Sequence, residues 1–301
     1  MNTDHDATNA YQSLVETLGH DDPRWAFGTG VEDVQAEITS PVPDGVDPAD
    51  LAAYCLMLGD DALICSHRLT EWVTNAPELE EEVALANIAL DLLGQARVLL
   101  ARAGHVEGEG RDEDALAYLR TEPEFRNIAL AEVPDDRDFG RAIARLLVFS
   151  TWRLALLQRL HGSRDPVVAA VAGKGVKEVA YHRDHAAQWT LRLGDGTAES
   201  HRRMQAALEA VWPYVEELYR STEIERRLAA AGVAVDPAEV RAEVDAVLDE
   251  VLTRATLTRP TVPPAGLLGG RGGRDGTHTE YLGHVLAELQ SLARQHPGAR
   301  W

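Results

Sequence analysis

The residues with the spacing to do chemistry sit in four apolar stretches. A pair of iron ions in a helical bundle needs one Glu from each of two helices and a Glu-x-x-His step from each of the other two. The i, i+3 spacing places both side chains of a step on one helix face. In ALDLLGQARVLL (89–100) the corresponding step is Leu92-x-x-Gln95. Leucine cannot coordinate a metal, and glutamine offers only a neutral oxygen. Asp91 remains, but one short carboxylate does not replace the pair. Asp91, Gln95 and Arg97 then read as internal polar links, because an unpaired buried charge is costly. In RLLVFSTWRLALLQRL (145–160) there is no carboxylate, and Ser150 stands on the apolar stripe where a Glu ligand is wanted. Its hydroxyl can bond back to a carbonyl of its own helix.

The other two stretches keep more polar groups. DDALICSHRLTEW (60–72) places His67 and Glu71 four apart, beside an apolar stripe. GKGVKEVAYHRDHAAQW (173–189) places Glu178 and His182 four apart and His182 and His185 three apart, whereas a strict Glu-x-x-His step lands on Tyr181. Leu92, Gln95, Ser150 and Tyr181 therefore read as positions that have lost a ligand, with no metal, cofactor or catalytic residue in this chain. The alternative is a free-standing di-iron carboxylate oxidase using Glu71, Asp91, Glu178 and His182. Lys177 is one of only two lysines, and its ammonium is a candidate to occupy the place of a lost cation.

A glycine-rich, locally basic segment, GLLGGRGGRDG (266–276), precedes a helix signal. Its backbone N–H groups, with Arg271 and Arg274, suit a third reading as a binding module for an acyl-CoA. It lacks the spacing of a P-loop or dinucleotide fingerprint, no strand precedes it, and a mobile connection is the preferred reading of the segment. His278 and His284 show no ligand spacing. No G-x-S-x-G and no zinc-binding cysteine set is present.

The elements that must position these residues are all helical. Leu58, Ala62, Cys65, Leu69 and Trp72 form one apolar stripe from Asp50 onward, ended by residues 75–77. Pro77 reads as the first turn of a second helix, followed by Glu78, Glu80, Glu81 and Glu82 at its positive end. Its stripe is Leu79, Val83, Ala86, Leu90 and Leu93, and it runs to about Ala103. A short helix is expected near 113–120 and irregular chain through Pro134. Further helices are expected over 138–161, 166–193 and 199–220. Asp236-Pro237 opens another to about Thr256, and Thr277-His-Thr-Glu280 signals a capping box for the last, to about Gln295. Residues 1–50 read as an irregular arm in which Trp25 and Phe27 pin part of it to the body or dock a partner. The domain proper is 51–301.

Hydrophobic residues make up 45% and charged residues 26%, a globular balance that supports a sizeable core. A net charge of −20 argues against nucleic acid and anionic membranes as partners and suits a basic protein surface. Two cysteines, Cys55 and Cys65, do not make a disulfide framework, which fits a reducing cytoplasm. No uninterrupted apolar run reaches the length of a membrane span, and the N-terminus lacks signal-peptide regions.

Five segments also resemble a known family: DDALICSHRLTEW, PELEEEVALANIALDLLGQAR, SRDPVVAAVAGKGVKEVAYHRDHAAQW, LGDGT and GTHTEYLGHVLAELQ. In order along residues 51–301, they are similar to the C subunits of bacterial phenylacetyl-CoA epoxidases. The resemblance implies an all-α, ferritin-like long-helix bundle with additional C-terminal helices. It also implies a non-catalytic structural subunit that supports a homologous catalytic A subunit, which holds the di-iron centre. A small B subunit and a reductase carrying FAD and an iron–sulfur group and using NADPH complete the implied complex, which epoxidises the aromatic ring with O₂.

Overall fold

The computed structural model describes residues 37–265 and 270–299. The expectations on Trp25 and Phe27, and most of the 1–50 arm, lie outside the described residues. Ten α-helices and no β-strands make up the described chain, so the all-α expectation holds.

Four long helices carry the bundle: α1 (Pro48–Thr70), α2 (Leu79–Glu107), and, after short helices α3 (Glu113–Tyr118) and α4 (Ala129–Glu132), α5 (Phe139–Leu160) and α6 (Pro166–Gly194). The local chemistry fixes most starts. Asp47, Asp112, Asp138 and Asp165 each accept a backbone N–H of the first turn of α1, α3, α5 and α6. Pro48 and Pro166 occupy first-turn positions where no intrahelical N–H bond is lost. At the far end of α2, Gly108 adopts φ +72, the left-handed C-cap that a side chain resists. α2 is 29 residues long, about 43 Å at 1.5 Å per residue.

α1 packs on α2 and α5 on α6, giving two helix pairs that meet along the α2–α6 seam. After a turn at Gly196, α7 (Ala198–Val211) packs on α5 and α6. The chain continues through α8 (Glu223–Ala230), α9 (Arg241–Arg254), which lies on α5 and α6, and α10 (Glu280–Gln295), which lies on α3, α1 and α4. The fold is thus ferritin-like with added C-terminal helices.

Several local expectations give way to tertiary partners. Pro77 lies before α2, whose N-cap is Glu78 without a side-chain cap. The expected 199–220 helix stops at Val211 and continues as two 3₁₀ turns, Trp212–Tyr214 and Glu216–Tyr219, because Pro213 interrupts it. Asp236 caps a 3₁₀ turn, Pro237–Val240, that leads into α9. The expected capping box at Thr277 does not form. The N-cap of α10 is Thr279, and its hydroxyl donates to Glu132 at 2.6 Å instead.

The largest departure concerns α2. Of the stripe Leu79, Val83, Ala86, Leu90 and Leu93, only Leu93 packs against the core. The buried side is Leu85, Ile88, Ala89, Leu92, Gln95, Ala96 and Leu99, whereas Leu79, Val83 and Leu90 are exposed. α2 is apolar on both sides, so periodicity alone selects either one. By length and composition it is also the one described helix capable of crossing a membrane, although 44% of its most apolar stretch is buried in the bundle.

Candidate functional site

The four long helices meet at a guanidinium. Arg153, on α5, is buried, and its Nε donates to Gln95 Oε1 on α2 at 3.0 Å. Its Nη1 and Nη2 lie 3.3 and 3.4 Å from the Leu58 carbonyl on α1. Gln95 Nε2 in turn donates to Glu178 Oε2 on α6 at 2.9 Å, and Lys174 approaches the other Glu178 oxygen at 3.3 Å. Gly175 makes the passage possible. A Cβ there would stand 2.9 Å from Leu157 Cδ1 and 3.2 Å from Gln95 Nε2. Burial pushes the Arg153 pKa down and the Asp61 carboxylate holds it up; an arginine stays charged through such opposition.

The sequence-predicted positions arrange themselves around this group. Leu92 is fully buried and apolar. Ser150 Oγ donates to its own helix carbonyl, Leu146 O, at 2.6 Å. Tyr181 lies at the surface, so the 178–181 step does not turn inward; the i, i+4 pair Glu178 and His182 does. His182 is buried and its Nε2 lies 3.0 Å from Asp91 Oδ2. Glu71 sits at the far end of α1, paired with Arg68 at 2.7 Å. Of the four alternative ligands, then, only Asp91 and His182 touch, Glu178 is held one turn away by Gln95, and Glu71 points elsewhere. Lys177 is on the outside of α6, with no hydrogen bond or ion pair to a described residue. The internal cation is Arg153, which sequence reasoning missed.

One turn further along the seam, Glu81 accepts from Trp189 Nε1 at 2.8 Å. His185 Nε2 is 3.2 Å from the same oxygen but makes no hydrogen bond with it. Burial and the neighbouring His182 push His185 down to about 4, so it is neutral at pH 7.

A di-iron pair does not fit the bundle centre. Among the described residues no three His, Cys, Asp or Glu side chains converge as a metal site. The centre offers the Glu178 carboxylate and the Gln95 amide, bonded to each other, and the fixed positive charge of Arg153 on the other side of the amide repels a cation. The two cysteines are free and buried, and burial pushes the Cys65 thiol up to about 12.

A second buried network ties the connecting segments to α1. Asp60 takes the Arg120 guanidinium and the Arg126 N–H, the latter at 2.8 Å. Asp61 takes both Arg274 Nη atoms at 2.9 and 2.7 Å and the Ile128 N–H at 2.9 Å. The signal for it was present: two adjacent acids inside the apolar run MLGDDALIC. This placement counts against the phosphate-cradle reading of the glycine loop, of which residues 270–276 are described. Arg274 is an internal anchor. The Gly272 and Gly273 N–H groups donate to the Asp275 and Glu217 carboxylates at 3.0 and 2.9 Å. A phosphate would meet acids there.

Nearby, fully buried Glu132 accepts from Asn127 Nδ2, His278 Nδ1 and the Thr279 N–H at 2.8, 2.7 and 2.8 Å. His278 Nε2 faces the Phe125 carbonyl at 3.0 Å. Both partners of the imidazole are acceptors, so both ring nitrogens donate and the ring is protonated. Burial opposes that charge, but the Glu132 and Phe125 bonds outweigh it and hold the pKa above 6.5.

The arrangement defines a class: a helical bundle whose centre is closed by its own side chains. Its sequence places it more closely. Residues 37–301 match the family described as phenylacetic acid catabolic protein, and the chain belongs to that family. It is 45% identical over 251 residues to the C subunit of the 1,2-phenylacetyl-CoA epoxidase of Escherichia coli (strain K12), a match covering 83% of this chain and 99% of that protein.

Proposed function

We propose that the chain is a non-catalytic, structural subunit of a multicomponent monooxygenase that epoxidises the aromatic ring of phenylacetyl-CoA in aerobic phenylacetate catabolism. It supports a homologous A subunit, which carries the di-iron centre. A small B subunit and an NADPH-dependent reductase with FAD and iron–sulfur groups complete the assembly, which works in the cytoplasm, where coenzyme A thioesters are made.

The observation that carries this reading is the Arg153–Gln95–Glu178 chain across all four long helices. A chain that performs oxygen chemistry needs an open, ligand-rich centre. This one offers Leu92, Gln95 and Ser150 at the decisive positions, and a permanent cation among them. The free-standing oxidase is disfavoured because Glu71, Asp91, Glu178 and His182 do not share one point.

Co-expression tests it. The chain and the A subunit of the same organism are expected to co-purify, and O₂-dependent consumption of phenylacetyl-CoA with the reductase is expected only when the A subunit is present. Consumption by this chain and reductase alone would overturn the proposal.

A further inference from the structure

α2 has a second apolar side that nothing in the described chain covers. Leu79 is 71% exposed, Val83 53% and Leu90 45%, and on the adjoining α6 Tyr181 is 40% exposed. These four belong to seven large hydrophobic side chains exposed among the described residues, so the concentration is local rather than general. Leu90 and Tyr181 directly precede Asp91 and His182, which meet across the α2–α6 seam, and both are exposed beside it. The added helices α7, α9 and α10 cover α5, α6, α1 and the connecting segments and leave this flank of α2 bare. Between Leu90 and the end of the flank lies Gly94, where an added Cβ would meet nothing within 4 Å. A neighbouring side chain can therefore approach the backbone there.

The charge pattern narrows the occupant. The chain carries −20 and has two lysines, both on α6 beside this flank. Lys174 is spoken for by Glu178 at 3.3 Å. Lys177, one turn along from Tyr181, has no acid among the described residues. An unpaired lysine at the margin of an apolar strip suits a protein partner with an apolar helix face and a carboxylate at its rim. Glu78, Glu80 and Glu82 at the start of α2 make an anionic lipid surface a poor match.

We propose that the outer flank of α2 and α6, formed by Leu79, Val83, Leu90, Gly94, Tyr181 and Lys177, is the surface on which the chain docks the A subunit. A helix of that partner lies along the apolar strip, with one of its carboxylates at Lys177. This rests on the proposed function for the partner's identity, and on the bare flank alone for the location. Leu79 to Gly94 spans about 22 Å of helix axis, enough for a partner helix to lie along about four turns.

The test is co-purification of untagged A subunit with the tagged full-length chain, carrying Leu90→Asp, Val83→Asp, Lys177→Glu or, as a control on α10, Leu292→Asp. Leu90→Asp and Val83→Asp are expected to lower the captured partner about tenfold or more, as for central interface positions. Lys177→Glu should lower it by a smaller factor, more so at low salt. Leu292→Asp should capture as the wild type does, and helicity and Tm should be unchanged in all four. If the wild type captures the A subunit and both aspartate variants do so equally well, the docking surface is wrong while the proposed function stands. If the wild type captures none, the proposed function falls and the partner assignment with it. A lone chain that forms a dimer abolished by Leu90→Asp, with capture of the A subunit intact, would assign the flank to a second copy and overturn the proposal. Binding of the lone chain to vesicles of anionic phospholipid, lost in Leu90→Asp with capture of the A subunit intact, would do the same in favour of a membrane.

Discussion

The two sides of α2 pose opposite physical problems. On the inner side, polar groups sit among apolar ones, and every described link is made within the chain: Gln95 bridges Arg153 and Glu178. On the outer side, apolar groups have nothing over them among the described residues: Leu79, Val83 and Leu90 are exposed. A helix that is apolar around its circumference normally has packing on all sides. By this contrast the described residues meet the polar groups of the inner side with partners from the chain itself and leave the apolar groups of the outer side uncovered.

The protein's interior, including the second buried network on α1, should be more sensitive to substitution than the outer flank of α2. Arg274→Met strands Asp61 in the core without its cation, and burial already pushes that carboxyl up against the pull of Arg274. Unfolding by urea should show a loss of about 3–5 kcal/mol, the range for breaking a buried pair from one end; a loss below about 1 kcal/mol would contradict the description of Asp61 as dry and dependent on Arg274.

Arg153→Met is expected to lower stability by about 1–3 kcal/mol, because Gln95 Oε1 and the Leu58 carbonyl lose their donor. The arginine is replaced by an apolar chain of similar reach, so the loss should stay below that of Arg274→Met. An equal or larger loss would mean that the centre depends on the guanidinium charge itself.

Away from α2, His278 gives the protein's interior a pH dependence. Its folded pKa lies above the ordinary 6.5, because the bonds to Glu132 and Phe125 outweigh burial. The stabilisation is therefore fully present below about pH 6.5 and is lost as pH rises through the folded value. Tm should fall over that window in the wild type, and His278→Gln should flatten the fall; a slope unchanged by the substitution would reassign it to another group.

On the outer side, Lys177→Met and Leu90→Asp should change stability by no more than about 0.5 kcal/mol, as exposed substitutions do. Thermal melts of the lone chain check this. A large loss from Leu90→Asp would mean that the flank is covered by the chain itself.

The sequence made some of this legible and concealed the rest for physical reasons. The long helices were readable from their apolar stripes and from the turn and proline segments that separate them, and the burial of Leu92 followed from its chemistry. The orientation of α2 was not readable, because Leu79–Val83–Leu90 and Leu85–Leu92–Leu99 are equally good helical stripes and only the neighbours decide between them. Arg153 was hidden because an arginine in WRLALLQRL, where Arg159 is a second, looks like part of the solvated side of an amphipathic helix, while its partners lie 58 and 95 residues away. Lys177 drew attention by its rarity, which says nothing about the direction it faces. The Thr277 capping box failed because Glu132, far away in sequence, claims Thr279 and His278.

Closure of the bundle centre by Arg153 against metal is put to the proof by iron content. The purified full-length chain is loaded anaerobically with Fe(II), freed of unbound metal and assayed. Well under one iron per chain is expected, with the iron of the co-purified complex assigned to the A subunit. About two irons per lone chain, the content of a working di-iron bundle, would refute the closed centre.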